Sequence, residues 1–147
     1  MKPILTQADQ AHVIRAFGEE IHVHLSGEQT GGLFAMFSET TPPTGGPPPH
    51  CHDNEDEWFY VQEGTVSFFI DGQWTDAHPG DTVFAPRKQV HTFKNNTSKP
   101  TKMLIHTSPS GFEKFFAEAA EVFARPGAPD MQRVVQIAEA HGIHFVS

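Results

Sequence analysis

The chain carries Pro48-Pro49-His50-Cys51-His52, with Glu57 five residues beyond His52 and a further histidine, His91, downstream. Successive side chains of a β-strand alternate, so His50 and His52 share one face while Cys51 takes the other. Glu57 opens Glu57-Trp58-Phe59-Tyr60-Val61, a second strand-like run able to fold back beside the first. Three imidazoles and one carboxylate form a donor set suited to Fe, Mn, Co, Ni, Cu or Zn. The expectation is a mononuclear site in which His50, His52, Glu57 and His91 hold one divalent transition metal, with the function located there.

Outward from this site the signals are mostly β as far as residue 108. Residues 21–25 and 33–38 read as strands joined by a turn-rich Ser26-Gly27-Glu28-Gln29-Thr30-Gly31-Gly32. Residues 41–49 hold five prolines and two glycines, too rigid for a ladder strand and better suited to a shaped connection. Residues 57–62 and 65–70 flank Glu63-Gly64 as a tight hairpin, and Asp71-Gly72 is a strong hairpin dipeptide. Residues 73–77, 82–85, 91–94 and 102–107 continue the series, which predicts a sandwich or barrel. Near residue 110 the period changes. Phe112, Phe115, Phe116, Ala119 and Phe123 fall at helical spacing behind a possible Ser110–Glu113 capping box. Arg125-Pro126-Gly127 ends that helix, and Met131, Val134, Val135 and Ala138 mark a second, closed by Gly142.

Two motifs turn this pattern into a family resemblance. His50, His52, Glu57 and Gly64 fit the first cupin motif, except that Thr44 stands at its leading glycine and Gly45 follows. Gly80, Pro86, His91 and Asn95 fit the second, with Lys88 at its internal glycine. Eight such matches would arise by chance less than roughly once in a million. The chain resembles the cupin superfamily over roughly residues 18–145. Within it, Thr30-Gly31-Gly32 and Ser108-Pro109-Ser110-Gly111-Phe112 are similar to the small quercetin 2,3-dioxygenase-like cupins. The resemblance implies a mainly β fold: one jelly-roll β-barrel (a double-stranded β-helix) with two C-terminal α-helices packed outside. The expected organisation is an N-terminal segment 1–17, a barrel 18–108 and a helical extension 109–147 of the same domain. Lys88 must either avoid positive φ or accept strain.

Other residues have plainer readings. His22 and His24 repeat the alternating spacing but lack a downstream carboxylate and a second motif, so they read as strand surface. His12, His78, His106, His141 and His144 read as ordinary polar residues, Cys51 as packing, and Asn95 as loop support or barrel packing. With 147 residues, 37% hydrophobic and 19% charged, the chain has the composition of one globular domain. A net charge of −8 with ten Lys and Arg argues against nucleic-acid and membrane-surface partners. The first residues lack the apolar stretch of a signal peptide. One cysteine excludes an intrachain disulfide and suits a cytoplasmic location.

Four protein ligands leave one or two metal positions for a small-molecule substrate, O2 or both. The resemblance to flavonol-cleaving cupins implies that Glu57 also takes the substrate's hydroxyl proton, which makes it the catalytic residue. With 13 Phe in the chain, Phe37, Phe59, Phe68, Phe93 and Met103 are the candidate substrate-binding residues. The leading expectation is a quercetinase-like dioxygenase acting on a flavonol or another enolisable compound. The alternatives are a non-redox isomerase, lyase or decarboxylase and a non-catalytic small-molecule-binding module. Open jelly-roll edges and the resemblance favour a homodimer.

Overall fold

Strands whose apolar residues alternate must bury one face, and two such sheets satisfy each other by packing face to face. The structure, a computed structural model that describes residues 1–146, is built in this way. The first sheet contains β1 (His12–Ala16), β2 (Glu19–Leu25), β3 (Ala35–Thr41), β5 (Asp56–Glu63), β8 (Thr82–Ala85) and β10 (Thr101–Ser108). Their spatial order is β1-β2-β3-β10-β5-β8. The second contains β6 (Val66–Ile70), β7 (Gln73–Ala77) and β9 (Thr92–Lys94) in the order β7-β6-β9, and β4 (His50–His52) paired with β11 (Ile143–Phe145). An antiparallel bridge between His50 and His91 joins these two pieces. Phe37, Phe59, Val61, Met103 and Ile105 project inward from the first sheet and Val66, Phe68 and Phe93 from the second, all buried. This is the expected jelly roll. No helix among the described residues is long and apolar enough to cross a membrane.

Among the described residues, three α-helices accompany the strands, α1 (Gly27–Thr30), α2 (Phe112–Phe123) and α3 (Met131–Ala140), besides a short 3-10 turn at Ala8–Gln10. The last two lie outside the strands, as expected. Phe112, Phe115, Phe116 and Ala119 of α2 are buried, and edge-on contacts place Phe112 and Phe116 6.0 and 5.8 Å from the Phe37 ring. The expected Ser110 capping box is absent. Gly111 is the N-cap and, being glycine, offers no side-chain cap; the Ser110 N–H donates to the Gly32 carbonyl at 3.2 Å. Glu113 nevertheless reaches back, accepting from the N–H groups of Gly111 at 3.0 Å and Gly27 at 3.2 Å. A complete capping box forms instead between Ser26 and Gln29 at α1.

Two pairings differ from the sequence reading. β4 does not fold back beside β5. It pairs with β11, while β5 lies in the other sheet between β10 and β8. His50 and His52 therefore face Glu57 across the space between sheets. Glu63-Gly64 is likewise a corner that carries the chain from one sheet to the other, since β5 and β6 do not pair. Gly64 is required there: its φ is +78°, and a Cβ would lie 2.8 Å from Thr101 Cγ2. The short strands β1 and β11 were not foreseen, because polar His12, Arg15 and His144 interrupt their apolar pattern.

The two departures from the motif glycines have one physical explanation. In Pro42-Pro43-Thr44-Gly45 the Gly45 N–H donates to the Pro42 carbonyl at 3.0 Å, and in Pro86-Arg87-Lys88-Gln89 the Gln89 N–H donates to the Pro86 carbonyl at 3.2 Å. Thr44 and Lys88 occupy the third position of these turns with φ of +68° each, the position that favours glycine in a type II turn. The chain keeps the turns and accepts left-handed backbone at non-glycine residues. Thr44→Gly and Lys88→Gly should therefore each stabilise the protein, by roughly 0.5–1 kcal/mol after glycine's own entropy cost. Urea midpoints will check this; lower midpoints would contradict it.

Candidate metal centre

The site is assembled from both sheets. β4 directs His50 and His52 inward, β5 directs Glu57 inward, and His91 sits at the backbone bridge to His50, where two hydrogen bonds of 3.1 and 2.9 Å fix the pairing. All four side chains are buried, and one ligand atom from each can be chosen so that all lie within 4.8 Å of one another. A side chain standing on either sheet alone could not complete this set.

Each imidazole is oriented by its outer nitrogen. His50 Nδ1 donates to the Pro48 carbonyl at 2.9 Å and His91 Nδ1 to the Gln89 carbonyl at 3.0 Å. A carbonyl can only accept, so each ring turns its Nε2 toward the centre. His52 Nδ1 instead meets a carboxylate, Glu55 Oε2, at 3.3 Å. Inside, Glu57 Oε2 lies 3.0 Å from His91 Nε2 and 3.3 Å from His52 Nε2. The second contact lacks hydrogen-bond geometry and leaves His52 Nε2 a buried nitrogen without a partner. A metal ion would satisfy this orphan. Three imidazole nitrogens and one carboxylate oxygen are also the donor set that such an ion takes, so the residues fit.

Charge in the site follows from burial and proximity. Burial, helped by the neighbouring His91 and His52, holds the His50 pKa down to about 3. Burial also opposes charge on His52, but the hydrogen bond to Glu55 and the nearby Glu57 carboxylate prevail and raise it to about 9. Burial would raise the Glu57 pKa, yet His52 and His91 hold it below the ordinary carboxylate range. At neutral pH the cluster thus presents an ionised Glu57, a neutral His50 and one displaceable proton on His52.

A narrow cavity opens on the cluster. Phe59 and Phe93 line it, together with α2's Phe112, Phe115 and Phe116 and with Phe145 of β11. It encloses about 400 Å3 including its mouth, but only about 20 Å3 is free for a water-sized sphere, room for about one water molecule. The Phe112 ring stands edge-on 4.5 Å from His52. Phe37, Phe68 and Met103 are buried but do not line this space; they pack behind it in the core.

Sequence reasoning passed over Glu55, Glu19, Glu39 and the α2 rings. Glu55 sat between two motif ligands, and the phenylalanine stripe read as ordinary helix packing. Glu19 and Glu39 are buried and line the same cavity; their positions among inward-facing residues of β2 and β3 were the available signal. The other histidines fall outside the cluster. His22 and His24 meet Glu20 and Ser38, and His106 stacks on Trp58 at 5.2 Å.

Residues 37–107 match the cupin domain family. Quercetin 2,3-dioxygenase of Bacillus subtilis (strain 168) is 29% identical over 130 residues, which is 84% of this chain but 38% of that protein. The chain thus spans well under half the length of this relative. A predicted oxalate decarboxylase from Thermotoga maritima superposes with a TM-score of 0.66 at 19% identity, covering 72% of this chain and 99% of the other. The polyketide cyclase RemF from Streptomyces resistomycificus superposes with a TM-score of 0.62 at 20% identity, covering 75% and 80%.

Two outcomes follow from the charges. Metal must displace the His52 proton, so binding at pH 7 should release about one proton per ion, and affinity should rise toward pH 9. Calorimetry in buffers of different ionisation enthalpy measures this; no proton release would contradict it. Glu19 concerns folding rather than metal. Burial, only partly offset by Thr41, raises its pKa from 4.5 to about 8. The folded state then holds a proton that the unfolded chain has lost, so this group's contribution to stability falls as pH rises from about 4.5 to about 8. Glu19→Gln should flatten that fall and stabilise the protein at pH 8 more than at pH 5, as read from denaturation midpoints.

Proposed function

Since the chain belongs to the cupin superfamily and gathers three imidazoles and a carboxylate within its barrel, we propose that it is a metal-dependent dioxygenase of quercetinase-like type. Its substrate is a flavonol or another enolisable small molecule, and O2 is the co-substrate. The observation that carries this reading is the convergence of His50, His52, Glu57 and His91 beside an aromatic-lined cavity. The 29% identity to a quercetin 2,3-dioxygenase over most of the chain supports it.

His50, His52, Glu57 and His91 hold one divalent ion drawn from Fe, Mn, Ni, Co, Cu and Zn. Once bound, a redox-active ion supplies Lewis acidity and an electron path between substrate and O2. Glu57 is the catalytic residue: its ionised Oε2, kept free of protons by His52 and His91, takes the substrate's hydroxyl proton. Phe59 and Phe93 hold the substrate's rings. Phe37, Phe68 and Met103 support them from behind, and the cavity excludes bulk water from the proton transfer.

The surroundings of this activity belong to the same reading. The barrel is taken as residues 18–108, with 1–17 and 109–147 extending it. The free, half-exposed Cys51 suits the cytoplasm. Tyr60 and Phe84, exposed on the outer face of the first sheet, suit pairing into a homodimer.

An oxygen electrode tests the central step. Protein loaded with Fe, Mn, Ni, Co or Cu should consume O2 with a flavonol, and Glu57→Gln should slow turnover by about 10²–10⁴-fold. Equal product formation without oxygen would establish a non-redox enzyme. No turnover by fully loaded protein across flavonols and enolisable diketones would leave a binding module.

A further inference from the structure

Glu19 and Glu39 are buried acids that neither ligate in the metal cluster, nor orient its rings as Glu55 does, nor accept from backbone N–H groups as Glu113 does. They are 3% and 2% exposed and line the metal cavity, among phenylalanine rings and with no lysine or arginine among its lining residues. Thr41 Oγ1 donates to Glu19 Oε1 at 3.4 Å, and among the described residues no side-chain hydrogen bond reaches Glu39. Burying a carboxyl without a cation is unfavourable, so packing alone does not explain a fold that keeps two in one cavity.

The strand register places them together. Glu20 pairs with Thr40, so Glu19 stands beside Thr41 and diagonal to Glu39, roughly 7–8 Å away between Cα atoms and within reach of long side chains. Burial disfavours the ionised form of a carboxyl and keeps Glu19 protonated at neutral pH, so its carboxyl presents a donor and an acceptor together. Met103 pairs with Glu39 and Thr107 with Glu57. The four-residue step between them on β10 sets Glu39 roughly 13 Å along the strands from the row of Glu57, and Glu19, beside Thr41, two residues farther.

We propose that Glu19 and Glu39 form a second polar station in the metal cavity, which receives a neutral hydroxyl group at the end of an aromatic ligand remote from the metal. A hydroxyl matches a paired donor and acceptor, whereas a carboxylate or phosphate is repelled. This inference rests on the proposed function in taking the cavity as the ligand site, but it assigns different residues to a different part of the ligand.

Phenol, benzene and benzoate titrated into the full metal-loaded chain, followed by protein NMR, test it without requiring turnover. Phenol should bind about tenfold more tightly than benzene, with benzoate weaker than either. Glu39→Leu should bring the phenol preference close to one, with Tm at pH 7 unchanged or higher. Glu39→Gln, which keeps the side chain's shape, should remove the discrimination against benzoate. A phenol preference that survives both variants, or a failure of the native protein to bind any of the three, would overturn the station. Oxygen uptake separates the two readings. Phenol binding as described without flavonol turnover removes the dioxygenase and keeps the station; turnover with no phenol preference does the reverse.

Discussion

Two backbone hydrogen bonds between His50 and His91 hold the second sheet together, since they are the bridge between the β4–β11 pair and the β7-β6-β9 piece. The same bridge sets two of the four converging side chains side by side, with ring centroids 4.6 Å apart. His52 follows at the next inward position of β4, its ring within 5.6 Å of His91. Glu57 then closes the set from the opposite sheet. The site is a consequence of how the two sheets face each other, and loss of the bridge would take the fold and the centre together.

Imidazoles in a dry interior need something to fix their rotation, and the outward Nδ1 contacts supply it. Two rings use a carbonyl two residues earlier in their own chain, Pro48 and Gln89, so the rigid loops before each histidine do the orienting. This gives the Pro-rich lead-in a physical purpose beyond breaking the ladder. The third ring uses Glu55, whose carboxyl behind the centre fixes the ring's orientation.

Much of this was legible in the sequence because its signals were local and redundant. His50, His52, Glu57 and His91 could be picked out since spacing, residue type and two motifs agreed; His22 and His24, with the same spacing alone, proved to be ordinary strand residues. The alternation in Val66-Ser67-Phe68-Phe69-Ile70 and the Asp71-Gly72 turn located β6 and β7. What escaped depended on long-range pairing. Nothing near residue 52 announces that β4 pairs with residues 143–145, and nothing near Gly64 announces a change of sheet. The α2 phenylalanines were recognised as a buried stripe, but which surface they would cover was a tertiary question. So was the meeting of Glu19 with Glu39 in the cavity, because strand register decides it.

The cavity joins these strands of argument. Its walls are mostly apolar, with ionisable groups from the metal cluster and from Glu19 and Glu39, and with α2's Phe112, Phe115 and Phe116 among the lining rings. A ligand larger than one water molecule can be held there only if lining side chains shift.

X-ray absorption on the purified chain, beside a His50→Ala/His91→Ala variant with metal content quantified in both, tests the central claim most directly. The account predicts about one transition-metal ion per chain, with a first shell of three imidazole nitrogens and carboxylate oxygen, lost in the variant. Metal bound equally by both proteins, or no metal in the native chain even after reconstitution, would contradict it.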